Sequence, residues 1–267
     1  MNTTAARSHD FALGFLSEAA EDVRTEVLAR YADWRAVLLR ATALAVSVQH
    51  ELIVHVDDER ELFAAALFAR LLASCQAAVV LLERGLVAQA RCVLRQALEA
   101  LFALAAIAEK PELVGRLIES HEAEQRRAAK NIGLWQHPDL KAIASTELAS
   151  GRLDEALASK ATAIATADLA AAGGFEDWYR SLYMTLSWSV HGAAIDLERH
   201  LVKDSSGVVV EMSNEPDLED QKVPWLVATD IQLKGVLMLQ KIYPAVTGHQ
   251  VEALGAELMR LAEKIAA

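Results

Sequence analysis

From Ala100 to Ala108 the chain reads Ala-Leu-Phe-Ala-Leu-Ala-Ala-Ile-Ala, nine residues without a polar side chain on any side. The run completes a segment that begins at Leu86, in which apolar residues recur three and four apart. The whole therefore reads as one helix over Leu86–Ala108 whose second half has no face to turn to water. Such a helix belongs at the centre of a bundle, and the rest of the chain must be arranged around it. Similar spacing runs through nearly the whole sequence. With 53% hydrophobic residues and only 12 Gly and 5 Pro in 267, disorder and collagen-like repeats are excluded and an all-β fold is disfavoured. The expected fold is all-α, a single multi-helix bundle of roughly eight to ten helices.

Breaks in the periodicity place the elements. Helices are expected over Asp10–Tyr31 and Asp33–Val56. The next runs from the Asp57-Asp58-Glu59-Arg60-Glu61 stretch, where Asp58 and Glu61 are spaced as a capping box, to Glu83, with Gly85 ending it. After Leu86–Ala108 comes a fifth, from Pro111 to Asn131. Gly133 to Pro138 is a connection, followed by two weaker Ala-rich helices separated by Gly151. Gly173-Gly174 is the clearest break, and Phe175 begins a long helix to Val202. The Gly207-Val-Val-Val-Glu-Met212 run is read as a small hairpin or a loop. Trp225–Tyr243 and His249–Ala266 close the chain. No linker divides it, so residues 1–267 are expected to form one helical domain: 1–56 packing on a core bundle of 57–247, with 248–267 as a C-terminal helix.

Charge and cysteine usage narrow the functional classes. The formal net charge of −11 argues against nucleic-acid binding driven by phosphate neutralisation. Cys75 and Cys92 lie in apolar helical runs with no second cysteine close by, the pattern of buried thiols in a reducing compartment. No signal-peptide pattern and no uncharged run of roughly 20 apolar residues is found. The expectation is a soluble cytoplasmic protein without a membrane partner. His50 and His55 are five apart and so cannot share one metal face; no Glu-x-x-His, P-loop or G-x-G-x-x-G occurs. No cofactor and no metal are therefore expected. A small ligand within the bundle and a homo-oligomer both stay open.

Two polar rows carry the candidate chemistry. Arg91, Arg95 and Glu99 are spaced four apart on the Leu86–Ala108 helix. They are either its ordinary polar side, with Arg95 and Glu99 an i,i+4 pair, or a buried pair awaiting a partner. On the Phe175–Val202 helix, at 100° per residue, Arg180, Ser187, His191 and Glu198 fall in one sector, flanked by Tyr179 and Tyr183. A second strip of Ser181, Thr185, Gly192, Asp196 and Arg199 would then face water. Ser187 and His191 are spaced to hydrogen-bond, the first requirement for an activated hydroxyl, although no strained elbow or oxyanion hole accompanies them. Cost joins the rows: buried Arg95 and Glu99 are tolerable if they meet Ser187 and His191.

Arg116-Leu-Ile-Glu-Ser-His121 fits the arginine, four to six residues, histidine pattern of HEPN-type helical ribonucleases. A chain of this composition meets that pattern by chance about once or twice, and Leu117 stands where a polar residue commonly follows the arginine.

The stretch Leu94-Arg-Gln-Ala-Leu-Glu-Ala100, with Lys110-Pro-Glu112 beyond it, resembles the DUF5677 family of uncharacterised bacterial helical proteins. So does the later Tyr179-Arg-Ser-Leu-Tyr-Met-Thr-Leu-Ser-Trp-Ser-Val-His-Gly192. The similarity is expected over roughly residues 60 to 250. The resemblance implies no activity; it implies that Arg95, Glu99, Tyr183, Ser187 and His191 are the polar positions that matter. Two functions follow as expectations. One is a ligand-binding or protein-interaction module built round an Arg/Glu/Ser/His network. The other is a metal-independent HEPN-like ribonuclease, toxin or phage-defence effector, with His191 or His121 as acid/base and Arg95 or Arg116 stabilising phosphate charge.

Overall fold

The computed structural model describes residues 13–134, 137, 139, 152–191, 193–213 and 215–266. A single 3₁₀ turn, Gly14–Leu16, precedes α1 (Ala19–Arg30), α2 (Ala32–Glu51), α3 (Glu59–Leu82), α4 (Val87–Glu109) and α5 (Leu113–Gly133). Next come α6 (Arg152–Ala158), α7 (Thr166–Ala172) and α8 (Glu176–Trp178). A π turn over Tyr179–Tyr183 leads straight into α9 (Met184–His191), followed by α10 (Ala194–Leu197) and a second 3₁₀ turn. Strands β1 (Leu201–Lys203) and β2 (Val209–Met212) form a hairpin before α11 (Lys222–Gln240) and α12 (Val251–Ala266). The fold is all-α with one small antiparallel hairpin.

The central helix is α4: every side chain from Ala100 to Ala108 is buried. It packs on α3, and both pack on α11. The outer side of α11 carries α2 and α12, while α7 and α9 lie against α4. One buried apolar cluster runs from Val27 to Leu261 and includes Phe68, Leu98, Phe102 and Trp225. Gly173 permits the close approach of α7, because a Cβ there would stand 2.6 Å from that of Ala105.

The limits of α3 follow from its end residues. Asp58 Oδ1 accepts the Glu61 amide at 3.0 Å, as a capping residue should. Glu61 reaches past Asp58 to accept the His55 amide at 2.9 Å. At the other end Gly85 has φ of +72°, and its amide and that of Leu86 close on the carbonyls of Leu82 and Leu81. That is the Schellman pairing, which needs a residue without a Cβ penalty. Arg60 donates to the Ile107 and Ala108 carbonyls at 2.8 and 2.7 Å, closing the C-terminus of α4 from a neighbouring helix.

Three expectations are corrected. The first α-helix begins at Ala19, and α2 ends at Glu51 rather than near Val56. The long helix expected over Phe175–Val202 is broken into α8, the π turn, α9, α10 and a 3₁₀ turn, and its end supplies β1. β2 lies within the expected hairpin run, but its partner strand comes from that broken helix. The first of the two Ala-rich helices lies outside the described residues.

Candidate functional site

Four of the five singled-out polar residues come together where α4 meets the π turn and α9. Arg95 donates from Nε to Ser187 Oγ at 3.0 Å and from Nη2 to the Tyr183 hydroxyl at 2.5 Å. The Tyr183 hydroxyl donates to Glu99 Oε1 at 2.8 Å. The Arg95 Nη2 to Glu99 Oε1 ion pair, one helical turn apart, measures 3.2 Å and closes the ring. The guanidinium also sits 4.7 Å from the centre of the Tyr183 ring, a cation–π contact. Tyr183 itself is buried, packed against Phe102 and stacked on Tyr179 at 5.0 Å and 19° between planes.

Local backbone sets this arrangement. A π turn takes one more residue than an α-helical turn, so side chains four apart lie closer to eclipsed than the usual staggered pair. That brings the Tyr179 and Tyr183 rings parallel. It also breaks the 100°-per-residue reckoning across the segment. Arg180 and Glu198, assigned to the same sector as Ser187, are exposed and paired elsewhere, with Glu176 at 2.6 Å and Lys203 at 3.5 Å. The face toward α4 is instead marked by Tyr183, Ser187 and Leu186.

His191 stands apart. It is exposed, and it hydrogen-bonds to no described residue. The expectation that Arg95 and Glu99 would meet both Ser187 and His191 is corrected to Ser187 and Tyr183, because α9 ends at His191 and its outer side is open. Nor is α9 buried on two sides: Met184 and Trp188 are exposed while Leu186 is buried. The Ser187 hydroxyl donates to the Tyr183 carbonyl at 2.8 Å. Its proton is thus held by backbone rather than offered to an imidazole.

The electrostatics keep the Tyr183 phenol neutral. Burial, then the hydrogen bond and negative charge of Glu99, raise its pKa above the usual tyrosine value, while Arg95 and Thr166 pull it down. The carboxylate and guanidinium are partly open to water, with side chains 32% and 20% exposed.

A neighbouring cluster was not legible in the sequence. Asp196, placed above on a solvent strip, is buried. Its Oδ1 accepts from Ser189 Oγ at 2.9 Å and faces Arg199 Nε at 3.1 Å, and Arg199 reaches Asp217 at 3.5 Å. The break after α9 folds Asp196 back beneath Ser189, which an unbroken helix would not allow. Cys92 is half-buried rather than buried. Its thiol is pushed up chiefly by that burial and then by Asp196; Cys75 is wholly buried and its thiol is also pushed up by burial.

The ribonuclease-like pair lies elsewhere. Arg116 pairs with Glu119 and donates to Thr162 at 3.4 Å, while the exposed His121 ring meets Gln125 at 2.9 Å. A groove of about 500 Å³ between α2 and α12 shares no residue with any of these groups. Among the described residues no three His, Cys, Asp or Glu side chains converge on a point that a metal ion could occupy.

Residues 61–208 match the DUF5677 family, described as a family of unknown function. The chain belongs to that family. The match takes in α3 from Glu61 onward, α4 to α10, β1 and the whole Arg95 cluster, and stops one residue short of β2. It ends at residue 208, short of the 250 expected, so α11 and α12 lie beyond it. No curated protein and no solved structure matches the chain.

Proposed function

We propose that this DUF5677 member is a small-ligand-binding helical protein, in which Arg95 receives an oxyanion, a carboxylate or phosphate, of its ligand. The observation that carries the reading is how the guanidinium is held. Tyr183, Ser187 and Glu99 fix Nε and Nη2, while Nη1 donates to no described residue. A planar donor locked in one orientation with an edge to spare suits recognition of a carboxylate or phosphate. Two more polar groups on the same helical row, the half-buried Tyr179 hydroxyl and the exposed His191 ring, also lack hydrogen-bond partners among the described residues. The two unpaired cysteines support a reducing, cytoplasmic setting.

The test is thermal stabilisation by a panel of carboxylates, inorganic phosphate and nucleoside monophosphates, for wild type and for Arg95→Lys. Arg95→Lys keeps the charge but loses the fork, so a true ligand should stabilise wild type and fail with the variant. Equal shifts in both, or no shift with any member of the panel, would overturn the reading. The exposed, unbonded His191 beside an arginine-held serine is the feature that favours the ribonuclease alternative. RNA cleavage by wild type that His191→Ala abolishes would replace ligand binding with that activity.

A further inference from the structure

We propose that α3 is the seam of a homodimer, its open face packed antiparallel on α3 of a second copy. One side of α3 is core: Ala64, Phe68, Leu71, Cys75 and Ala78 are all buried. The other carries Leu62, Ala66, Ala69, Ala73, Ala77 and Val80, and water reaches 39% of Leu62 and 54% of Val80. The helix is long and apolar enough to cross a membrane, yet only 39% of its most apolar stretch is buried. Its inner face already belongs to the bundle and its outer face bears Arg70 and Gln76, so a protein surface suits it better than lipid. Alanine lets another backbone approach closely, and a second helix fits so narrow a strip.

What selects a second copy is the helix's match to itself when reversed. From Leu62 the positions 62, 66, 69, 73, 76 and 80, exposed except for half-buried Ala69, alternate four and three apart, the spacing of a helix–helix seam, with exposed Arg70 and Ala77 on its flanks. With a twofold axis level with residue 71, Leu62 faces Val80 of the second copy, and Ala66 faces Gln76. Ala69 faces Ala73. The ends are oppositely charged. Exposed Asp57, Asp58 and Glu59 stand at the start of α3, while at its end Arg24 and Arg35 are held by Glu83 and Arg84 pairs with Glu21, leaving three arginines to two carboxylates. Reversal lays Asp58 of each copy opposite Arg84 of the other, twice by symmetry. Arg70 and its mate meet on one flank near the axis, a like-charge contact, and Glu59 stands opposite the Glu83 that Arg24 and Arg35 neutralise.

The experiment is analytical ultracentrifugation of the full chain, with circular dichroism confirming that each variant is folded. Wild type is expected to be dimeric at high micromolar concentration and Ala73→Glu monomeric. Arg70→Ala should tighten the dimer several-fold. Arg84→Glu should loosen it, with Glu59→Arg in the same chain restoring it. Mixed A69C and A73C chains should cross-link by disulfide. A monomeric wild type, a dimer indifferent to Ala73→Glu, or wild type that binds phosphatidylcholine vesicles without self-associating would each overturn the proposal. None of these readouts involves Arg95, so the dimer and the ligand reading fail separately.

Discussion

Tyr183 gives its phenolic hydrogen to Glu99, a residue 84 positions earlier in the chain, at 2.8 Å. The contact ties the π turn to the central helix. It also makes the tyrosine report on the carboxylate, because Glu99 is among the groups that hold its proton on.

Glu99→Gln should therefore lower the Tyr183 pKa toward that of free tyrosine, without reaching it, since burial remains. Phenolate absorbance during an alkaline titration measures this. An unchanged titration curve would mean that the hydrogen bond does not persist in solution.

Glu99→Ala should cost less stability than breaking a sealed ion pair would. Complete burial predicts about 3–5 kcal/mol for Glu99→Ala. With both side chains partly in water, the freed guanidinium can be rehydrated, and the expected loss is about 1–2 kcal/mol by denaturant melting.

Alkaline pH should destabilise the fold through three of its four tyrosines. Burial, as the leading cause, raises Tyr31 and Tyr183 above their ordinary value of 10.0 and Tyr243 to about 12. A folded pKa above the unfolded one means that the unfolded chain loses its proton first. The stabilisation is whole below pH 10 and is lost as pH rises through the folded values. Urea midpoints across pH 9 to 12 check the sign, and the phenylalanine variants of the three should flatten the curve.

Gly85→Ala should cost more than about 2 kcal/mol. The residue sits at φ of +72°, and a Cβ would come 2.6 Å from the Cβ of Pro216 and 3.1 Å from its Cα, with little room to yield. Gly174→Ala separates strain from clash, because Gly174 has φ of +77° but nothing within 4 Å of an added Cβ. It should cost about 1–2 kcal/mol.

Glu83→Ala should loosen the attachment of the N-terminal helices. The buried carboxylate takes Arg24 from α1 at 3.0 Å and Arg35 from α2 at 2.9 Å. Losing two charge-assisted bonds costs about 2–3 kcal/mol. Faster amide exchange confined to α1 and the start of α2 would locate the effect.

Sequence periodicity sufficed for the architecture wherever one helix obeys one period. The Ala100–Ala108 run could only be central, and the acids at Asp58 and the glycine at Gly85 bound α3 because capping is local chemistry. Arg95 and Glu99 were found by spacing, and Tyr183 and Ser187 were weighted by the resemblance to the family. What failed was extrapolation along the Phe175–Val202 segment. An α-helical projection put Arg180 with Ser187 and sent Asp196 to solvent, and it left His191 facing protein. A π turn and the end of α9 at His191 are tertiary outcomes, with no composition that announces them. Nor could spacing show that Arg60 would close another helix's carbonyls, since that contact depends on which helices become neighbours.

The π turn over Tyr179–Tyr183 amounts to one residue more than the helix needs. Deleting a single residue there would let the segment close to a regular α-helix with the residues beyond it nearly in place, because the wider turn already takes up about one residue's rotation. Ser187 would keep its bearing on Arg95, and the parallel stack of Tyr179 on Tyr183 would be what is lost. A one-codon deletion inside α9 ahead of Ser187 has no such slack and would swing the rest of that helix by about 100°. The stretch between Phe175 and Met184 is thus where the chain can lose a residue without exchanging the inner and outer faces of α9.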